Sequence, residues 1–405
     1  MRPSVVLDIK NIQKTPATAP SFTAAMAVFL VLSGCGGGGD NPTPTIATAP
    51  TSAITVATTL NLSSLDNYAL PVLPVHYDST VATADNTPVG DPINDKVATL
   101  GRVLFYDKKL SINDTVACAS CHIQSNGFSD PARFSTGFSG SSFTTAHSMR
   151  LGNIRYYRPG SAFWDKRAAS VEDQASQPIQ NSVEMGFDAT HGSMAAVLTK
   201  LQAVPYYTEL FTFAFGDSAI TESRLQRALA QFERSMVSSG SRWDTAYAQN
   251  YNSQLPDKGL SLPAAGFSAS EERGRLLFIT APANGGLGCG GCHQPPTFSL
   301  AANSLSNGLD AGETTIFKSP SLKNIALSRA FMHDGRFSTL AQVIEHYNSG
   351  MQAGPALDAR LQTPQGTPRR MNMTSQEKAD LEAFLQTLTD TAFVNDAKFS
   401  TPFKP

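Results

Sequence analysis

The sequence predicts a mainly α-helical protein of two similar domains joined by long loops, and three observations predict it. A short segment recurs, as Gly101-Arg102-Val103-Leu104-Phe105 and again as Gly274-Arg275-Leu276-Leu277-Phe278. Internal repeats of this kind mark repeated structural units. Each copy leads into a Cys-x-x-Cys-His cluster, Cys118 to His122 and Cys289 to His293, and a longer amphipathic stretch closes each unit. Strand-like alternation is sparse, and 405 residues suffice for two good-sized cores.

At the N-terminus, Lys10 and Lys14 precede an apolar stretch from Phe22 to Leu32. It is short for a permanent bilayer span and reads as an export signal. The stretch ends in Leu32-Ser33-Gly34-Cys35, which resembles the lipobox of bacterial lipoproteins, where the cysteine is diacylated and becomes the new N-terminus. Residues 1–35 are therefore expected to be a lipoprotein-type signal with Cys35 as the lipidation site, a plain cleaved signal being the alternative. The expected location is the periplasm, with the membrane touched only through the lipid anchor. Residues 36–64, Gly-rich and then Pro/Thr/Ala-rich with almost no charge, read as a flexible tether.

The first domain is expected over 85–248 and the second over 266–395, with a turn-rich linker between Gln249 and Ser268. The first closing helix is expected from Thr221 to Ser238, where Leu225, Ala228, Leu229, Phe232 and Met236 recur at helical spacing. The second is expected from Thr374 to Leu388, with Leu381, Phe384, Leu385 and Leu388 as its apolar stripe. Thr374 with Glu377 three residues on is a capping-box pattern.

A net charge of −2 gives no electrostatic case for nucleic acid, which asks for a basic surface. The five cysteines form no disulfide framework: Cys35 stands alone, and the other four make two tight pairs, each followed by histidine. In that spacing two thiols can add across the vinyl groups of one porphyrin edge while the adjacent histidine reaches the iron. With 5 Cys and 7 His in the chain, one chance match is on the order of one in a thousand, and two are far rarer. A zinc site lacks a second close Cys or His pair beside either cluster, and a thioredoxin-like redox pair does not require the histidine. Two cytochrome c-like domains follow, each with one covalently bound heme c: Cys118, Cys121 and His122 in the first, Cys289, Cys292 and His293 in the second. His122 and His293 are the proximal iron ligands. The remaining histidines, His76, His147, His191, His333 and His346, are by themselves more often packing or surface residues than ligands.

From Asn86 to Asp390 the chain resembles the bacterial di-heme cytochrome c peroxidases, a family that includes the MauG-type di-heme oxidases. The resemblance rests on LGRVLFYDKKLS before the first cluster, FWDKRAASVEDQASQPIQNSVEMG between the clusters, and SPSLKNIALSRAFMHDGRFSTLAQVIEHYNSG after the second. It implies that Glu184 and Gln174 lie in the distal pocket of the first heme, where a carboxylate can move the peroxide proton and an amide can orient the peroxide. It places Trp164 between the hemes as a readily oxidised relay, and Tyr347 where common members carry a methionine ligand and MauG-type members a tyrosine. His346 and Met332 are the alternatives to Tyr347. A phenolate favours ferric and higher iron states, whereas a thioether raises the reduction potential. The loop DPARFSTGFSGSSFTTA lacks the distal histidine of many members, so the peroxide site is expected to be open without reductive activation. The resemblance also implies a calcium ion held partly through backbone carbonyls at Ser328 and Ala330, although His147 stands where an oxygen ligand is usual.

Three functions follow from the resemblance. The first is a peroxidase that reduces hydrogen peroxide to water with electrons from a periplasmic cytochrome c or copper protein. The second is a MauG-like oxidase that uses peroxide to modify residues of a partner protein, a reading favoured by Tyr347. The third is a non-catalytic di-heme electron carrier.

Overall fold

The computed structural model describes residues 52–405. The expected signal, with Cys35, and the tether up to residue 51 lie outside the described residues. About 39% of the described residues are helical, with little sheet among them. The expectation of a mainly α-helical protein is thus corrected to a mixed fold in which turns and irregular segments predominate. Composition supplies the reason: 25 prolines and 30 glycines interrupt helical runs by removing donors or by entering left-handed backbone conformations.

The helices that position the candidate sites are α1 (Asp95–Tyr106), α2 (Val171–Ser176), α3 (Glu222–Ser235), α4 (Ala269–Ile279), α5 (Leu340–Glu345) and α6 (Ser375–Gln386). Strands β1 (His293–Gln294) and β2 (Ser299–Leu300) pair antiparallel, with His293 opposite Leu300. The expected closing helices are α3 and α6, each two or three residues shorter at its C-terminal end. Thr221 caps α3 by accepting from the Arg224 N–H, and Thr374 and Glu377 form the expected capping box on α6.

The repeated Gly-Arg-x-Leu-Phe segment has a packing role. A Cβ on Gly101 of α1 would fall 1.9 Å from the Ala228 carbonyl oxygen of α3, and one on Gly274 of α4 would fall 1.8 Å from the Asp380 carbonyl oxygen of α6. Only glycine lets each pair of backbones approach so closely. Most of the buried hydrophobic residues among those described fall in two clusters. Leu100, Val103 and Leu104 of α1 meet Leu225, Leu229 and Phe232 of α3 in one, and Phe278 of α4 meets Leu381, Phe384 and Leu385 of α6 in the other.

Chain boundaries differ from expectation in three places. Ala53–Ala57, expected as tether, is a short helix; its first N–H groups donate to the Glu209 carboxylate and its Ile54 is buried. Trp243 and Tyr247, expected in the first domain, pack in the second cluster, and the helix that bears them runs on to Asn250, into the expected linker. Phe393 and Phe399 return to the first cluster.

The repeat also extends further than the sequence motif. Asn153 and Asn324, at φ 64° and 63°, precede matching 3-10 turns at Ile154–Tyr156 and Ile325–Leu327. Beyond them, the bridges Ala162 to Ala168 and Phe331 to Phe337 enclose the matching turns Phe163-Trp164-Asp165-Lys166 and Met332-His333-Asp334-Gly335. Trp164 and His333 are structurally equivalent.

Candidate active site

Cys118–Cys121 is a single helical turn, and His122 ends it. The His122 ring is oriented from one side: its Nδ1 lies 3.0 Å from the Phe128 carbonyl oxygen and 3.3 Å from Ser148 Oγ. Donation from Nδ1 to a carbonyl leaves the Nε2 lone pair free, the arrangement that metal-binding histidines use. Ser148 Oγ also donates to the Cys121 carbonyl at 2.6 Å, tying the loop after His147 to this cluster. Burial lowers the affinity of the His122 ring for a second proton, which favours the neutral, ligating form.

Glu184 stands close enough to the same cluster for its charge to act on both thiols. Asn181 Oδ1 accepts from its N–H at 3.1 Å, and its carbonyl accepts from the Phe138 N–H at 3.0 Å. Gly137 permits that approach, since a Cβ there would fall 1.9 Å from the Val183 carbonyl oxygen. Burial pushes the Glu184 carboxyl above its ordinary range, partly offset by Arg167, and its charge helps to push up both the Cys118 and Cys121 thiols. Gln174 lies on α2, which is fastened to α3 by the Arg234–Glu172 ion pair and by Gln226 Nε2 donating to Ser176 Oγ at 2.9 Å. No hydrogen bond joins Gln174 to Glu184.

The second cluster opens on an apolar cavity of about 560 Å³ lined by Cys289, Cys292, His293, Met332, Tyr347 and Trp164, among others. Burial, with Arg150 and Arg360 adding to it, lowers the His293 pKa to about 4, so the ring is neutral at ordinary pH. Its Nδ1 is buried without a hydrogen-bond partner. Tyr347 sits in a π-helical turn, His346–Gly350, that directly follows α5, and burial pushes its hydroxyl up. Such turns recur at functional sites because the extra residue re-aims a side chain. His346 Nε2 instead engages the Asn307 carbonyl at 3.1 Å, and His346 does not line the cavity.

Trp164 lies in the wall of this cavity, yet it is wired to the first cluster. Its Nε1 donates to the His147 carbonyl at 2.7 Å, and the next residue is the Ser148 that bonds Cys121. Both ring nitrogens of His147 are engaged, Nδ1 with the Arg133 carbonyl at 3.1 Å and Nε2 with Ser129 Oγ at 3.2 Å. His333 stacks on Phe317, with ring centroids 3.8 Å apart, and also lines the cavity. Ser328 and Ala330 are both buried, and Ser328 Oγ accepts from the Arg150 guanidinium at 2.7 Å. Ser148, Arg150 and Asn307 were not among the residues marked by sequence. They lie in segments without periodicity, and no motif points to them.

The di-haem cytochrome c peroxidase family model matches residues 95–252 and 269–401. The chain belongs to this family. Within it, the chain is 32% identical over 317 residues to the methylamine utilization protein MauG of Methylorubrum extorquens, covering 74% of this chain and 80% of that protein. It is 31% identical over 263 residues to the cytochrome c551 peroxidase of Nitrosomonas europaea, covering 63% of this chain and 73% of that protein. Among solved structures, a MauG-like protein associated with microbial copper homeostasis superposes with a TM-score of 0.64 at 27% identity, covering 83% of this chain and 99% of that one.

A family of this description implies two hemes, and the residues present fit them. The four cysteines at the two clusters are free thiols, half-buried rather than joined as disulfides. His122 and His293 both favour the neutral ring, and the second cluster faces an apolar cavity of the size that takes a large planar ligand. The buried Nδ1 of His293, which nothing in the protein satisfies, is a further sign of a ring held for a purpose other than protein packing.

Proposed function

We propose that this protein is a di-heme c-type peroxidase that reduces hydrogen peroxide to water with electrons from a donor protein such as a small cytochrome c or a copper protein. In this reading two cytochrome c-like domains each hold one heme c, through Cys118, Cys121 and His122 and through Cys289, Cys292 and His293, with Tyr347 as a further iron ligand in the second. When bound, the hemes would supply the redox-active iron that peroxide reduction needs, with the peroxide taken at the first.

The observation that carries the reading is Glu184, a mostly buried carboxyl with a raised pKa beside the first thiol pair. A carboxyl tuned upward can take the proton from one peroxide oxygen and return it to the departing one near neutral pH. Gln174 orients the peroxide by donating from its amide. Trp164 joins the two sites: its ring stands in the second cavity, and its Nε1 bond reaches the His147-Ser148 segment that contacts the first cluster.

The MauG-like alternative, peroxide-driven oxidation of residues on a partner protein, draws its support from Tyr347 in the cavity and from the 32% identity to a MauG protein. Turnover of peroxide with reduced cytochrome c separates the two: brisk oxidation of the cytochrome is expected, and negligible oxidation would overturn the peroxidase reading in favour of the alternative. A non-catalytic carrier would show only low-spin ferric signals in electron paramagnetic resonance, whereas the reading here expects a high-spin signal from the first heme.

Export to the periplasm with a lipid anchor at Cys35 belongs to the same reading, since heme c is attached outside the bacterial cytoplasm. Ser328 and Ala330 remain the calcium candidates. The Arg150 cation at Ser328 Oγ, 2.7 Å away, and the engaged ring of His147 weigh against a divalent ion there.

A further inference from the structure

Asn307 gathers the three side chains that compete for the iron position in the second cavity. Its carbonyl takes His346 Nε2 at 3.1 Å, and its Nδ2 donates to both Tyr347 Oη and Met332 Sδ, each at 3.4 Å. His346 is thereby turned away, while Tyr347 and Met332 both line the cavity with His293. Met332 also has a left-handed backbone, φ 71°, which costs energy for any residue but glycine and recurs where function over-determines a conformation. Its partner in the repeat, Phe163, is left-handed too, at φ 65°, so the strained turn belongs to both units; a thioether set on it, in a cavity with an iron-ligating histidine, belongs to the second alone.

Resting on the heme-binding reading of this cavity, we propose that Met332 is a second axial ligand for the iron of the C-terminal heme, held in reserve beside Tyr347 by Asn307. In the exchange the Tyr347 oxygen–iron bond breaks and a Met332 sulfur–iron bond forms. The released oxygen takes a proton from water, and no electron moves in the exchange itself. A phenolate is a hard anionic donor suited to ferric iron, and a thioether is a soft neutral one suited to ferrous iron. The oxidation state therefore selects the ligand, the electron arriving from the donor protein.

The test uses the matured, full-length holoprotein. Tyr347→Phe is expected to leave the C-terminal heme low-spin, with the charge-transfer band of a methionine-ligated ferric heme, and adding Met332→Ala is expected to convert it to high spin. A high-spin C-terminal heme in Tyr347→Phe alone would overturn the proposal. Met332→Ala in the otherwise unaltered protein is expected to lower the midpoint potential of that heme and to change its ferrous spectrum. An unchanged potential and spectrum would overturn the proposal even if the tyrosine variant failed to mature. A wild-type protein lacking heme bands, or lacking any tyrosine-ligated ferric signal, would instead defeat the reading on which the proposal stands.

Discussion

Replacing Glu233 by glutamine should make the protein more resistant to unfolding at alkaline pH and leave it unchanged in acid. Glu233 lies on α3, only 5% exposed, and its Oε2 has no hydrogen-bond partner. Burial pushes its carboxyl from 4.5 to about 8, with Arg234 offsetting part of the effect. The folded protein therefore holds this proton more tightly than the unfolded chain does. Below pH 4.5 both states are protonated and the residue carries no penalty. Between pH 4.5 and 8 the unfolded chain ionises first, so stability is lost as pH rises, and above 8 the loss is complete. At roughly 1.36 kcal/mol per pH unit that interval sets a ceiling of about 5 kcal/mol, and relaxation around the charge reduces the realistic figure to about 2 kcal/mol. Glutamine keeps the shape and removes the charge. Urea midpoints of Glu233→Gln and wild type, followed across this range, are expected to diverge as pH rises and to merge in acid. A constant offset at every pH would refute the reasoning, because a packing change has no reason to titrate.

Three further outcomes are expected. Glu184→Gln should slow peroxide turnover by about 100- to 10,000-fold with the heme spectrum intact, and should abolish the rise in rate with pH that accompanies loss of the Glu184 proton; an unaltered pH–rate profile would remove Glu184 from proton transfer. Gly101→Ala and Gly274→Ala should each destabilise the protein by about 2 kcal/mol or more in thermal melts, since the added methyl must push two helix backbones apart, and a neutral result at either would mean that the crossing yields freely. Trp164→Phe removes the Nε1 bond to the His147 carbonyl, and rapid-freeze spectroscopy after peroxide addition should find oxidation confined to the first heme for longer than in wild type.

Much of this molecule was written locally. The two Cys-x-x-Cys-His clusters and the closing helices with their Thr221 and Thr374 caps depend on residues a few positions apart, and periodicity and capping report such relations directly. The paired Gly-Arg-x-Leu-Phe segments marked a repeat, although sequence alone did not say that Gly101 and Gly274 are the points where helix backbones touch. Low charge and the neighbouring Gly- and Pro-rich segments misled in the other direction: residues 52–57 read as a continuation of the tether, yet the Glu209 carboxylate and the burial of Ile54 hold them in place.

What the chain by itself determined is which residues are candidates for the proposed chemistry: the four thiols, His122 and His293, and, through family resemblance, Glu184, Gln174, Trp164 and Tyr347. Only the tertiary structure decided how they are held. It brought Ser148 to Cys121 across 27 positions, His147 to Trp164 across 17, and Asn307 to Tyr347 across 40. Those links run through single hydrogen bonds in which at least one partner lies in an irregular segment, and such a bond depends on where the whole chain folds rather than on any pattern nearby.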